Sequence, residues 1–460
     1  MIKQKCFVFG LAILLAISLF LMGCTTIPKS TQTTGIAEKG PVKLQLKPWV
    51  GEEQTSQMES ESKVVMPTGW ILKIKIKGEY TSICLGVDNA GVMKIITTTR
   101  FSDPEQTMEN VPPDQAKFIE EAMKQSKGLY LTKTVSISRM RPDGTVLDNS
   151  FSRMLGAVTG TLLSTGQASD LFGFSNLQLS MFPDKPINVG ESWTQQTGTN
   201  NNINTKSTLL GFDEIQGQKC AKIQIEMLIK IQYGDITSSS TSSLTEYFST
   251  EDGLIVKSVG VNDTIPNQQE QGTTKNSFTT ELVKRKKLTP DELKIIQAEA
   301  DELDIAFGYL QKDNDSANKT LQKFADTHPQ SRLKEGVEGI ITYMDTMKNM
   351  RETTQKQIVE SIPTITKVDP AMASASGGEW ITITGKGFKD NPAPTVTIGG
   401  NPATGVKVLS ETNIKAIVPA GIPGPADIVI QNAYAKVKSL PFKGFSYEEQ
   451  EQKTKETQSK

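Results

Sequence analysis

The sequence predicts a multidomain, mainly β protein: a large antiparallel sheet or sandwich, then a short helical segment, then a second β domain. Two patterns support this prediction. Apolar residues alternate with polar ones along residues 69–287, as in strands with one buried and one solvated face. From residue 288 they recur at spacings of three and four, as on one face of a helix. The chain is long enough for two to four domains.

Residues 1–23 have the features of an export signal. Lys3 and Lys5 precede an apolar run, Phe7 to Met22, that is shorter than the roughly 20 residues of a spanning helix. An uncleaved anchor helix is the alternative interpretation.

The end of this run carries a specific motif. Leu21-Met22-Gly23-Cys24 resembles the lipobox of bacterial lipoproteins. The resemblance implies that Cys24 receives a diacylglycerol and acyl chains such as palmitate, and that the chain is cut before it. Two or three acyl chains on one residue give a stable membrane anchor. Thr25 follows the cysteine, so by the same resemblance a Gram-negative host would place the protein in its outer membrane.

Residues 24–68 are rich in Thr, Ser, Gln, Lys and Glu and poor in large apolar side chains. Such a segment cannot bury enough surface to offset its ordering entropy. It is predicted to be a flexible tether between the membrane and the folded domains.

Charge and cysteine content limit the partners. The chain has 50 basic and 51 acidic residues, and removal of the signal takes away two lysines, so nothing attracts nucleic acid. After Cys6 leaves with the signal and Cys24 takes the lipid, Cys84 and Cys220 remain. Disulfides persist in an envelope compartment, so a Cys84–Cys220 bond is possible. Two independent buried thiols are the alternative.

Residues 69–287 are predicted to form one antiparallel β domain of roughly ten strands, as a curved sheet or a sandwich. Leu72, Ile74 and Ile76 alternate with lysines, and one helix, Pro113 to Lys127, interrupts the pattern. Three short segments have the composition of hairpin turns: Asp88-Asn89-Ala90-Gly91, Pro142-Asp143-Gly144 and Glu251-Asp252-Gly253.

The segment from Phe182 to Trp193 resembles a sequence that recurs in uncharacterised β-rich bacterial envelope lipoproteins. Two interpretations of this domain remain open. It is either a half-barrel that holds a lipid, as in lipoprotein carrier folds, or a packed sheet without a cavity.

Residues 288–360 are predicted to be helical. Thr289-Pro290-Asp291-Glu292 forms a capping box with proline at the first helical position. Asp313-Asn314-Asp315 separates the first helix from a second, which ends at His328-Pro329. The second helix resembles tetratricopeptide-like hairpins over barely one repeat, and a short bundle between two β domains is the alternative.

Residues 361–447 resemble an IPT/TIG domain, which is an immunoglobulin-like sandwich. The central signature is the stretch from Gly377 to Phe388, which contains Gly385 and Gly387. The resemblance implies docking and spacing roles in extracellular proteins. Ile381 and Ile383 are predicted to point inward, and Phe388 to fill one end of the sandwich.

Residues 448–460 are predicted to be a charged, disordered tail.

No constellation in the sequence predicts catalysis, a metal site or a cofactor. His328 is the only histidine, and the Asp313 segment lacks the glycine and glutamate of a calcium loop. A pair of carboxylates would suffice for a glycosidase. The conceivable members are Glu191, Glu226, Asp235, Glu246, Glu251 and Asp252.

Two functions of different class follow. The first is a non-catalytic, membrane-anchored scaffold whose β and IPT/TIG domains bind an envelope protein or polysaccharide. The second is a lipid- or ligand-carrying lipoprotein with a cavity in the β domain. An apolar cavity of at least ~300 Å³ would favour the second.

Overall fold

A computed structural model describes residues 40–449, apart from 67, 114–119, 121–131, 152, 155–180, 198–201, 234–235, 267–272, 311, 361, 391–392 and 433–436. The export signal and Cys24 lie outside the described residues. So do most of the predicted helix at Pro113 to Lys127 and residues 450–460 of the predicted tail. The chain divides into two compact units, one ending at Lys348 and the other beginning at Asn349.

Twelve described strands of the first unit form one antiparallel sheet. They are β1 (Glu52–Val65), β2 (Ile71–Val87), β3 (Met93–Phe101), β4 (Glu105–Glu109), β5 (Lys133–Met140), β6 (Val146–Asn149), β7 (Ser192–Thr197), β8 (Asn202–Ile215), β9 (Gln218–Tyr233), β10 (Ile236–Ser249), β11 (Leu254–Pro266) and β12 (Thr273–Lys287). Their order is β6-β5-β3-β2-β1-β12-β11-β10-β9-β8-β7, and β4 also pairs with β2. The described strands of the first unit thus form a single sheet rather than a sandwich.

The prediction of a tether over residues 24–68 is wrong for its second half. β1 lies near the middle of the sheet, paired with β2 on one side and β12 on the other. Its inward positions include Ser56, Ser60 and Ser62, which are buried although they are polar. They lie among apolar neighbours such as Ile74 and Ile76 of β2. The low content of large apolar residues therefore did not indicate β1, because this strand is buried by the side chains of its neighbouring strands.

The three predicted turns are confirmed. They connect β2 to β3, β5 to β6 and β10 to β11, and the paired strands are antiparallel neighbours. Gly91, Gly144 and Gly253 each have a positive φ, which glycine adopts without steric cost. Leu72, Ile74 and Ile76 are all buried, as their alternation predicts.

Three described helices follow: α1 (Pro290–Tyr309), α2 (Asn314–Thr327) and α3 (Lys334–Glu360). The capping box is confirmed, because the Thr289 hydroxyl accepts from the Glu292 amide and the Glu292 carboxylate accepts from the Thr289 amide. The helices share one core with β2, β3 and β5, to which Ile96, Ile137, Leu303 and Val337 belong. In the first unit they therefore cover one face of the sheet.

A close backbone approach joins α3 to β5. A Cβ on Gly339 would lie 2.1 Å from the Lys133 carbonyl oxygen, and one on Gly336 would lie 2.7 Å from that of Thr134. Ion pairs also join the helices to the neighbouring strand β3: the Lys94 Nζ lies 2.6 Å from Asp304 of α1, and the Arg100 guanidinium lies 2.8 Å from Glu335 of α3. The helices are thus held to the sheet by both shape and charge.

The second unit is a β-sandwich. Its strands are β13 (Thr364–Asp369), β14 (Met372–Ser374), β15 (Trp380–Lys386), β16 (Thr395–Ile398), β17 (Asn401–Pro402), β18 (Thr404–Ser410), β19 (Asn413–Ile417), β20 (Gly424–Pro425), β21 (Ile428–Asn432), β22 (Val437–Lys438) and β23 (Ser446–Glu448). Ile381, Ile383 and Phe388 are at most 1% exposed and share one core. Their predicted inward orientation is confirmed.

Candidate interaction surfaces

One sheet of the C-terminal sandwich exposes an aromatic side chain. Its strand order is β13-β15-β19-β18. Trp380, at the start of β15, is 45% exposed and lies beside Ile417 of β19. The Lys407 Nζ lies 5.9 Å from the centre of its ring. We call this surface, formed by Trp380, Thr382, Lys407, Lys415 and Ile417, the Trp380 face.

The charges on the Trp380 face are not balanced. Lys407 of β18 and Lys415 of β19 lie directly opposite each other in register. Both are exposed, and neither has an acidic partner among the described residues. Like charges directly opposite across two strands repel each other. The face therefore suits a partner that brings a carboxylate or another acidic group.

Two glycines support this arrangement. A Cβ on Gly385 would lie 1.9 Å from the Thr364 carbonyl oxygen, so β13 and β15 approach closely only because Gly385 lacks one. Gly387 has a φ of 77° and turns the chain so that Phe388 enters the core. Gly387 thus provides the turn before Phe388, and Gly385 provides the close approach of the two strands.

The large sheet carries a groove of about 600 Å³ over β12, β1, β2 and β3. Charged groups of both signs line it, among them Glu59, Glu79, Lys77 and Arg100. Lys75 and Lys77 reach the Glu59 carboxylate at 2.7 and 3.7 Å, so part of this charge is already neutralised.

A second groove, of about 810 Å³, lies over β7 to β11; we call it the β7–β11 groove. Its lining consists mainly of Thr, Ser, Gln and Asn side chains, with Met227 and Leu228 as the apolar members. Both grooves exceed the ~300 Å³ of a small ligand pocket. Both are open grooves on the sheet and not the enclosed cavity in which a carrier would shield a lipid from water.

The other face of the sheet buries a carboxylic acid. Glu246 of β10 is 5% exposed and lies between Ile223 of β9 and Ser258 of β11. Its Oε2 has no hydrogen-bond partner in the described structure. Burial raises the pKa of Glu246 to about 7, because a charged carboxylate loses its hydration there.

The remaining conceivable carboxylates lie in different surroundings. Glu191 accepts from the Asn188 amide at 2.8 Å in a turn, and this bond lowers its pKa. Glu226 is exposed on β9, Glu251 and Asp252 lie in the β10–β11 turn, and Asp235 is outside the described residues. The Asp252 carboxylate pairs with Arg285 at 2.7 Å.

Both remaining cysteines are free, buried thiols in the structure. Cys84 belongs to a core with Ile95 and Phe182, whereas Cys220 belongs to a separate one with Leu254. Burial raises the pKa of both thiols, that of Cys220 to about 11. This is the arrangement of two independent thiols, and a thiol with a raised pKa reacts slowly.

His328 lies where the sequence predicts it, at the end of α2. Its backbone amide donates to the Phe324 carbonyl and its Nε2 lies 3.1 Å from the Glu302 carboxylate. Asp313 caps the start of α2 through the Ser316 amide. No group of three or more His, Cys, Asp or Glu side chains that could hold a metal ion occurs in the described part of the chain.

The comparison with protein families decides the nature of the C-terminal sandwich. The IPT/TIG domain model matches residues 363–443. The C-terminal sandwich is an IPT/TIG domain. The Trp380 face is thus the outer side of one sheet of this domain, and Phe388 is part of its core.

Solved structures with similarity to the larger part of the chain are distant. Lipovitellin is 9% identical, with 53% of this chain and 26% of that chain covered and a TM-score of 0.30. A Bacteroides fragilis protein described as exported, with a YmcC-like fold, is 16% identical over 53% and 100%, with a TM-score of 0.23. A Parabacteroides distasonis protein described as a lipoprotein is 9% identical over 52% and 98%, with a TM-score of 0.20.

All three TM-scores lie below 0.5. No curated protein matches the chain. Among the described residues, no helix is both long and apolar enough to cross a bilayer.

Sequence reasoning missed the exposure of Trp380 and the β7–β11 groove. Trp380 precedes the inward Ile381, so alternation alone places it on the outer side, and an exposed tryptophan there is the signal that was available. No comparable pattern in the sequence indicated the β7–β11 groove. Its lining residues come from five strands, and only the pairing of these strands brings the residues together.

Proposed function

We propose that the chain is a non-catalytic lipoprotein of the bacterial cell envelope, anchored through lipid on Cys24, that acts as an interaction or scaffold protein. The IPT/TIG domain, with its exposed Trp380 face, carries this proposal. Tryptophan contributes disproportionately to protein interfaces because it brings a large, rigid apolar area. Two lysines beside it select for acidic groups on the partner.

The alternative function, a lipid carrier, has no comparable support. An acyl chain needs a concave apolar lining. The grooves over β12 to β3 and over β7 to β11 are lined mainly by polar or charged side chains. Burying methylene groups there would leave those polar groups without water.

The test is capture of envelope proteins with the lipid-free chain from residue 25 onward. We expect one retained protein to be lost with Trp380→Ala and with the double change Lys407→Glu and Lys415→Glu. Leu440→Ala is the matched control, since Leu440 is an apolar residue of the same domain that is 87% exposed. Retention that is indifferent to all three variants would contradict docking through this face.

A further inference from the structure

The β7–β11 groove has the dimensions of a ligand site. Its volume of about 810 Å³ falls within the ~300–1,000 Å³ of small-molecule pockets. Five adjacent strands contribute to its lining, from edge strand β7 at one side to β11 at the other. A site built on paired strands keeps its side chains in fixed relative positions.

The groove offers neutral hydrogen-bonding groups in number. Gln196 and Asn204 contribute amides, each with donors and an acceptor, and Thr241 and Ser243 contribute hydroxyls. The Ser243 hydroxyl accepts from the Gln224 amide at 2.7 Å, which leaves its own proton available to a ligand. This combination of groups suits a ligand that can both donate and accept hydrogen bonds along its whole length.

Three charged residues complete the lining. Lys206 of β8 lies opposite Glu226 of β9 in register, and Asp263 lies on β11. None of the three forms an ion pair within the described residues. The two carboxylates can therefore each accept from a hydroxyl group, and the ammonium group can donate to one. Such charge-assisted hydrogen bonds are stronger than neutral ones.

The same charges exclude other ligand classes. Two carboxylates against one lysine repel a phosphate or a uronic acid at close range. An acyl chain would leave the amides and hydroxyls without partners. We infer that the β7–β11 groove binds a neutral, hydroxyl-rich glycan chain. This site lies in the large sheet and does not depend on docking through the IPT/TIG domain.

The test is calorimetric titration of the lipid-free chain from residue 25 onward. The probes are neutral hexasaccharides of glucose, mannose and N-acetylglucosamine, with polygalacturonate and phosphatidylglycerol vesicles for comparison. We expect one neutral hexasaccharide to bind and the two anionic probes not to bind. Glu226→Gln and Asn204→Ala should each weaken that binding about tenfold, since each removes one or two hydrogen bonds to the ligand.

Glu214→Gln is the matched control, because Glu214 is an exposed carboxylate of β8 that does not line the groove. It should leave the Kd unchanged, as should Trp380→Ala, which impairs the separate protein-docking face. An unchanged melting curve identifies each variant as folded. The inference is overturned if no neutral hexasaccharide binds, if an anionic probe binds instead, or if binding survives both groove substitutions unchanged.

Discussion

Glu246 combines deep burial with an incompletely satisfied carboxyl group. Its Oε2 is buried without a hydrogen-bond partner in the described structure. Burial raises the pKa of this carboxyl to about 7, above the 4.5 of the unfolded chain. The folded state therefore binds the proton more tightly than the unfolded state does. The stabilisation is complete below about pH 4.5 and is lost as the pH rises through about 7.

We expect Glu246→Gln to remove this pH dependence. Near pH 8 the amide should raise the free energy of unfolding by up to roughly 3 kcal/mol, because each pH unit of pKa difference is worth about 1.4 kcal/mol. Denaturant unfolding at pH 5 and pH 8 measures the effect. Glu226→Gln, on the exposed face of the neighbouring strand, is the control and should change neither value. Equal stability of wild type and Glu246→Gln at pH 8 would contradict the prediction.

Phe388 fills one end of the hydrophobic core of the IPT/TIG domain. It is 1% exposed. Phe388→Ala should lower the free energy of unfolding of this domain by roughly 3–5 kcal/mol, the usual penalty for emptying a buried aromatic site. The measurement is made in the full chain and on residues 362–447 expressed alone, which we expect to fold cooperatively. Trp380→Ala, which removes an aromatic side chain that is 45% exposed, should cost far less. A loss below about 1 kcal/mol for Phe388→Ala would place the side chain outside the core.

At the scale of elements, the contact between α3 and β5 depends on two glycines. Gly339→Ala would place a Cβ 2.1 Å from the Lys133 carbonyl oxygen, so the helix must move away from the strand. We expect a loss of about 1–3 kcal/mol in the stability of the first unit, as for other overpacked sites. Denaturant unfolding followed by circular dichroism measures it.

Gly308→Ala in α1 is the matched control. A Cβ on Gly308 has nothing within 4 Å, so alanine there should stabilise the chain by up to about 1 kcal/mol through helix propensity. Destabilisation by both variants would mean that the close approach of α3 is not what Gly339 provides.

The elements differ in how far sequence could predict them. The three glycine turns and the capping box at Thr289 depend on neighbours within a few residues, and all were predicted correctly. β1 was not, because most of its buried residues are polar: Glu53, Thr55, Ser56, Ser60 and Ser62 are buried beside Met58 and Val64. Its place between β2 and β12 is set by pairing with strands that are distant in sequence, and composition does not report such pairing.

At the scale of the whole molecule, the proposed membrane anchoring depends on one residue. Cys24→Ser should leave an uncut precursor that does not label with a fatty-acid analogue, since in the proposed anchor the Cys24 thiol is the group that would take the lipid. Cys84→Ser is the control and should label normally, because Cys84 is buried in the sheet core. Metabolic labelling followed by electrophoresis distinguishes them. Persistent labelling of Cys24→Ser would show that the lipid is attached elsewhere.

The candidate surfaces were less predictable than the fold. The alternation around Ile381 places Trp380 on the outer side, but its pairing with Lys407 follows from the neighbouring strand. Lys206, Glu226 and Asp263 are scattered along the sequence, and only the strand order brings them to one groove.

The sequence by itself determined the mainly β class, the helical segment and the turns, because each of these rests on periodicity or on local backbone requirements. It indicated the IPT/TIG domain through the resemblance of residues 361–447 to that family. The tertiary structure alone decided that the large domain is one sheet, that β1 belongs to it, and that Glu246 is buried within it. These features depend on which strands pair across long separations. Burial is a property of the surroundings that such pairing creates.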